Sequence, residues 1–148
     1  MCVGRLSSPE AKLAVDWALR ATQVGRSHSI GPVEVVEVEP RRAGKSAEAA
    51  ALIERIDPGV LIACDEHGEA MASRAFTAMI ARVRDEGARA LTFVIGGADG
   101  LDPSLLARSQ KKLAFGPQTW PHGLARAMLA EQIYRATTIM AGSPYHRD

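Results

Sequence analysis

The stretch Leu91-Thr92-Phe93-Val94-Ile95-Gly96-Gly97-Ala98-Asp99-Gly100-Leu101-Asp102-Pro103 decides how the rest of the chain is read. Leu91 to Ile95 is rich in β-branched and aromatic residues and lacks polar alternation, the pattern of a strand covered on both faces. Gly96-Gly97 breaks it. Asp102 followed by Pro103 is an N-cap and first-turn pair that starts a short helix. Strand, glycine turn and helix in that order make half of a parallel βαβ unit.

Working outward, the same alternation repeats. Upstream, Val60 to Cys64 is a second short apolar strand, preceded by the turn Asp57-Pro58-Gly59 and opening into the polar loop 65–68. Between the two strands a helix is expected, capped by Ser73, with Phe76, Met79, Ile80 and Val83 facing the core and Gly87 after its end. Further upstream, Val33, Val35, Val36 and Val38 favour a strand over residues 31–40. The basic stretch Arg41, Arg42, Lys45 leads from it into a helix capped by Ser46, whose buried face is Leu52, Ile53 and Ile56. The first helix is marked by Ser7 and Ser8 as caps, Pro9 in the first turn and Glu10 at capping-box spacing. Leu13, Trp17 and Ala21, with Ala14 and Ala18 alongside, form its apolar face, and Gly25 stops it. Downstream, Leu113 to Phe115 is one more strand, and a long last helix spans about His122 to Met140.

This order gives an α/β fold, a mainly parallel sheet with helices on both faces. At 148 residues the chain makes one domain, 1–148. Met1-Cys2-Val3 is shorter than a full strand, yet the first helix needs a sheet to pack on. The expectation is a first strand cut short, by truncation or by a misplaced start codon.

Composition excludes several classes. With 47% hydrophobic and 24% charged residues, the chain is an ordinary globular protein rather than a disordered one. No apolar run approaches the roughly 20 residues of a transmembrane helix, and MCVGRLSSPE holds no signal peptide. Cys2 and Cys64 share no metal or redox spacing and read as reduced thiols of a cytoplasmic protein. His28, His67, His122 and His146 are scattered, so no metal site is assigned. The net charge is +1, but residues 108–148 carry six basic and two acidic side chains, a basic quarter suited to phosphates or to a solvated helix face.

In parallel sheets ligands bind at the carboxyl ends of strands, which directs attention to loops 65–68, 96–102 and 116–122. Gly96 and Gly97 allow close approach of backbone to a ligand, or simply a tight turn. They match neither a dinucleotide fingerprint nor a P-loop. Gly116-Pro117-Gln118-Thr119-Trp120-Pro121-His122-Gly123 is stiffened by its prolines. Trp120 offers either an apolar wall for a flat ligand or a core plug, and His122 either a general base or a helix cap. At the end of the chain, Tyr145, His146 and Arg147 combine a ring, an imidazole and a guanidinium, groups suited to base stacking, proton transfer and phosphate contact, on a terminus of the kind that usually frays.

TFVIGGADGLD, TWPHGLARAMLAEQIYRA and the terminal PYHRD, in this order, resemble the bacterial large-subunit rRNA pseudouridine N3-methyltransferase family (the RlmH family). The resemblance is close over about residues 91–148 and looser but collinear over about 31–90. It implies a SPOUT-type α/β fold with a C-terminal trefoil knot, and a homodimer. It implies S-adenosylmethionine as methyl donor and, as substrate, a pseudouridine of 23S rRNA in the assembled ribosome. Carried over, the donor-binding positions are Cys64, where the family often has leucine, Gly97, and Gly116, Pro117, Gln118, Thr119, Trp120 and Pro121. Tyr145, His146 and Arg147 match the terminal motif that completes the partner subunit's active site and meets RNA. Arg126 matches a basic position early in the last helix and is the second expected RNA contact after Arg147.

Val3-Gly4-Arg5-Leu6 matches the family's first turn, but most of its first strand is missing and residues 7–30 match poorly. Gly123 replaces a bulkier residue. The roles expected are proton acceptor for His146, anion or phosphate contact for Arg147 and stacking for Tyr145. Leu124, Met128, Leu129 and Ile133 are available for the dimer interface or for the core. The competing readings are a non-catalytic ribosome-associated RNA-binding protein of the same fold, and a SPOUT enzyme methylating another RNA position. The terminal PYHRD argues against the latter.

Overall fold

Along Leu61-Ile62-Ala63 successive side chains point to opposite sides of a sheet, and each side carries its own apolar core in the computed structural model, which describes residues 1–146. In chain order the elements are β1 (Cys2–Val3), α1 (Pro9–Gly25), β2 (Glu37–Val38), α2 (Lys45–Ile53), β3 (Val60–Ala70), α3 (Ser73–Asp85), β4 (Leu91–Ile95), α4 (Pro103–Arg108), β5 (Lys111–Ala114) and α5 (His122–Met140). A 3-10 turn at Arg26–His28 follows α1. The five strands form one parallel sheet in the order β2-β1-β4-β3-β5. Ile62, Phe93, Ile95 and Leu113 meet Phe76 and Ile80 of α3 and Leu129 of α5 on one face. Leu61, Ala63 and Val94 meet Leu52 of α2 and Leu105 of α4 on the other. Helices therefore cover both faces, as the alternation of elements requires.

Several local expectations change. In α1 the buried stripe is Ala14, Ala18, Ala21 and Gly25, while Leu13 is 45% and Leu19 57% exposed. The reason is close packing on α5. A Cβ at Gly25 would lie 2.7 Å from the Ile30 carbonyl oxygen and 3.3 Å from Thr137 Cγ2, so only small residues fit this seam. Ser8, not Ser7, caps α1, accepting from the Ala11 N–H at 3.3 Å.

The valine-rich stretch forms strand only at Glu37–Val38, because its neighbour β1 is two residues long. Helix α2 is entered through Gly44 at φ +109° rather than capped by Ser46, and Ala72 precedes α3 while the Ser73 hydroxyl donates to Gln132 at 2.9 Å. Strand β3 outruns Cys64. Residues 65–68 loop out as a bulge, and Leu113 pairs with Cys64 before it and Glu69 after it. Strand β5 starts at Lys111 and stops at Ala114, one residue before Phe115.

Arg126 ties the helix that follows the 116–121 loop to the first turn of the chain. Its Nη2 donates to the carbonyls of Val3 and, at 3.0 Å, Gly4. Its Nη1 reaches Glu37 Oε1 at 3.0 Å, the same oxygen that accepts the Leu6 N–H. The Arg126 side chain is only 3% exposed, which places it inside the fold as a strut rather than on a surface that meets RNA. Removing one partner of a buried ion pair leaves the other uncompensated. Arg126→Ala should lower the free energy of urea unfolding by about 3 kcal/mol. Glu37→Gln, which keeps an acceptor for both donors, should cost about 1 kcal/mol. A loss below about 0.5 kcal/mol for Arg126→Ala would be that of an ordinary surface change and would contradict the strut.

Candidate active site

The sheet register sets the site. Ile95 pairs with Cys64, and Cys64 with Leu113, so the turn after β4, the bulge in β3 and the turn after β5 lie side by side at one end of the sheet. The turn after β4 is built from backbone at close quarters. A Cβ at Gly96 would fall 2.8 Å from the Gly100 backbone, and the Gly100 N–H donates to the Gly97 carbonyl at 3.1 Å. Gly100 takes φ +80°, open to glycine at no steric cost. From α2, Glu48 reaches this turn. Its carboxylate accepts from the Gly97 N–H at 3.4 Å, and both its oxygens lie 3.0 Å from where a Gly97 Cβ would sit. Asp102 closes the turn by accepting from the Ser104 hydroxyl and N–H, bonds that hold its carboxyl below the usual carboxylate range.

The turn after β5 pivots on Gly116 at φ +110°. Pro117, Gln118, Thr119, Trp120 and Pro121 are exposed, so this loop stands open to a ligand. Two bonds fix it: Thr119 Oγ1 donates to Glu66 Oε2 at 3.0 Å, and Trp120 Nε1 donates to the Phe115 carbonyl at 3.2 Å. Trp120 is 39% exposed, which makes it a wall of the loop and not a core plug. His122 is the first residue of α5 and half-buried; Pro121 precedes it and no side chain caps the helix. Burial pushes the Cys64 thiol up to about 12, so it stays neutral near pH 7 and acts as an apolar contact rather than a nucleophile.

The structure thus brings Cys64, the Gly96–Gly97 turn and the 116–121 loop to the same end of three neighbouring strands. The Gly96–Gly97 turn is closed by its own Gly100 backbone and by Glu48, whereas residues 117–121 stand exposed with the Trp120 face beside them, open to a flat ligand recognised through N–H and C=O groups. The donor-binding residues expected from sequence suit a flat, polar-edged ligand in this respect.

The tail packs elsewhere on the chain. Tyr145 Oη donates to Glu131 Oε1 at 2.9 Å, and its ring stands edge-on to Tyr134 at 4.8 Å between centroids, with Trp17 at 6.1 Å. Burial, followed by the bond to Glu131, raises its phenol. Trp17 and Glu131 also line an apolar cleft of about 640 Å³ that runs past Phe76, Phe115 and Gly116. Tyr145 therefore sits beside a cleft that reaches the second turn. His146 is half-buried, and Arg147 lies outside the described residues. Sequence reasoning missed Glu48, a single carboxylate on α2 with no motif around it; Glu66 lies in the 65–68 segment it singled out, without a role assigned.

Residues 1–146 match the family described as predicted SPOUT methyltransferase. The chain is 61% identical over 149 residues to ribosomal RNA large subunit methyltransferase H of Caulobacter sp. (strain K31), covering 100% of this chain and 97% of that one. The protein of the same name from Paracoccus denitrificans is 50% identical, with 99% and 96% covered. Among solved structures, a probable methyltransferase from Bordetella pertussis Tohama I superposes with TM-score 0.55 at 18% identity, covering 92% and 94%. It shares the fold.

The glycine turn gives a direct test. Gly96→Ala drives a Cβ into rigid backbone and should cost about 1–3 kcal/mol in urea unfolding, whereas Gly97→Ala meets only the movable Glu48 side chain and should cost under about 1 kcal/mol. Equal losses would contradict this account of the turn.

Proposed function

The chain belongs to the SPOUT methyltransferase family, and we propose that it transfers a methyl group from S-adenosylmethionine to N3 of a pseudouridine in 23S rRNA of the assembled ribosome. The observation that carries this reading is the convergence of two glycine-built turns and the Cys64 strand at one end of the sheet. It is supported by relatives named as ribosomal RNA large subunit methyltransferase H.

Cys64, Gly97 and Gly116 through Pro121 would hold the donor, whose bound form supplies an electrophilic methyl group on cationic sulfur. The chain's own residues do the rest. Backbone N–H and C=O groups of the two turns orient the donor, and the exposed Trp120 face shields it from water. N3 of a pseudouridine carries a proton that must leave, and His146 is assigned to accept it. Tyr145 stacks on or orients the base. Arg147 anchors a phosphate or stabilises the developing anion. Positioning dominates such a transfer, so the rigidity of the turns matters more than any one polar group.

The active unit in this reading is a homodimer, in which each tail completes the partner's site. Leu13 and Leu124, exposed on one copy, both line the apolar cleft, and a second copy would cover it. Leu129, by contrast, is in the core. The reading includes one domain over 1–148 with a C-terminal trefoil knot, acting in the cytoplasm. Among the described residues no helix is long and apolar enough to cross a membrane.

Ribosomes from a strain lacking the modification, incubated with the protein and S-adenosylmethionine, should yield one methylated pseudouridine by nucleoside mass mapping. His146→Ala should lose about 100-fold in single-turnover rate with donor affinity by calorimetry unchanged; a full rate would remove His146 as the base. Light scattering should give twice the 15.8 kDa chain mass. A monomer at micromolar concentration would contradict the shared site.

A further inference from the structure

Three of the six basic residues of the C-terminal quarter read from sequence are used within the molecule. Arg126 is the buried strut, Lys111 pairs with Glu69 at 2.7 Å, and Arg135 pairs with Glu131 at 2.6 Å. A different basic group lies open. Arg41, Arg42 and Lys45 are all exposed on the segment between β2 and the first turn of α2. Among the described residues no ion pair engages Arg41 or Arg42. Of the acids nearby, Glu39 pairs with Arg5 at 3.6 Å and Asp102, which feels Lys45, caps α4, while Asp99 is exposed in the turn after β4. Ala43 and Gly44 are exposed too, so packing does not hold the arginines in place.

Topology places this group. Strands β2, β1 and β4 run parallel, so the segment after β2 leaves the same end of the sheet as the Gly96–Gly97 turn. Glu48, one turn into α2, touches Gly97 directly. The basic segment therefore lies beside the candidate donor turn, on the flank opposite the 116–121 loop.

We propose that Arg41, Arg42 and Lys45 form a phosphate-contacting arm of the RNA interface, which seats the substrate RNA backbone beside the methyl-transfer site. This rests on the rRNA methyltransferase reading above and names the residues that grip its substrate. Arginine forks suit phosphate oxygens, and such contacts position RNA without reading its sequence. Each neutralised phosphate releases counterions, so the arm makes binding steeply salt-dependent.

The test compares wild type with the triple variant Arg41→Gln, Arg42→Gln, Lys45→Gln. A control of equal charge is Arg20→Gln, Arg82→Gln, Arg89→Gln, at exposed arginines remote from the arm in sequence. Binding to purified ribosomes is measured across a salt series, and S-adenosylmethionine binding by calorimetry. The arm variant should bind ribosomes at least about tenfold more weakly near 0.1 M salt. Its slope of log affinity against log salt should fall by about 2, from three lost contacts at about 0.7–0.9 each. Its donor affinity should match wild type, and the control should keep the wild-type slope.

An arm variant with wild-type ribosome affinity and slope overturns the proposal while leaving the functional reading intact. So does a control that loses slope equally, since net charge alone would then explain the effect. A wild type that binds neither ribosomes nor donor overturns both.

Discussion

Parallel pairing of β4, β3 and β5 is the constraint on which the rest depends. Once Ile95, Cys64 and Leu113 are locked in register, the segments that follow must emerge together from one edge. The crossover helices α3 and α4 cover opposite faces of these strands. The turns at that edge are made of glycine because backbone passes close to backbone there, and a Cβ at Gly96 has no room. Close packing is therefore what asks for glycine here, with the Glu48 carboxylate filling the space beside Gly97.

Helix α5 connects this edge to the far side of the molecule. Its start carries the 116–121 loop, and one turn later Arg126 clamps it to the carbonyls of Val3 and Gly4 and to Glu37. Its middle lines the cleft that Tyr145 borders, and its small residues accept α1 at close range. A buried guanidinium is costly to desolvate, so its presence here argues for orientation of the helix rather than for raw stability. On the other flank, Glu48 does a similar service for α2 by contacting the Gly97 amide. The two candidate turns are therefore braced from two sides.

Much of the fold was legible because strong periodic signals and caps coincide. Asp102-Pro103 starts α4 as read, and Leu91–Ile95 and His122–Met140 fall where the pattern puts them. The misses have physical causes. In α1 the face read from Leu13, Trp17 and Ala21 is centred instead on Ala14, Ala18, Ala21 and Gly25, because the tight seam with α5 admits only small residues and leaves Leu13 exposed. The bulge at 65–68 depends on Leu113 pairing twice, a tertiary fact with no local signature. The glycine turn and the proline loop were legible as turns at the ends of neighbouring strands, since backbone demands show in glycine and proline. The opposite held for Arg126, because a charged residue reads as surface unless its partners, here two carbonyls and a carboxylate remote in sequence, are known.

The account's central claim is that the turns following β4 and β5, together with Cys64, form one pocket for the methyl donor. Backbone amide NMR of the isotope-labelled protein, titrated with S-adenosylmethionine, tests it most directly. The account predicts that amides of residue 64, of 96–100 and of 115–121 shift together with a single binding curve. Shifts confined to the cleft beneath α1, or separate curves for the two turns, would contradict it.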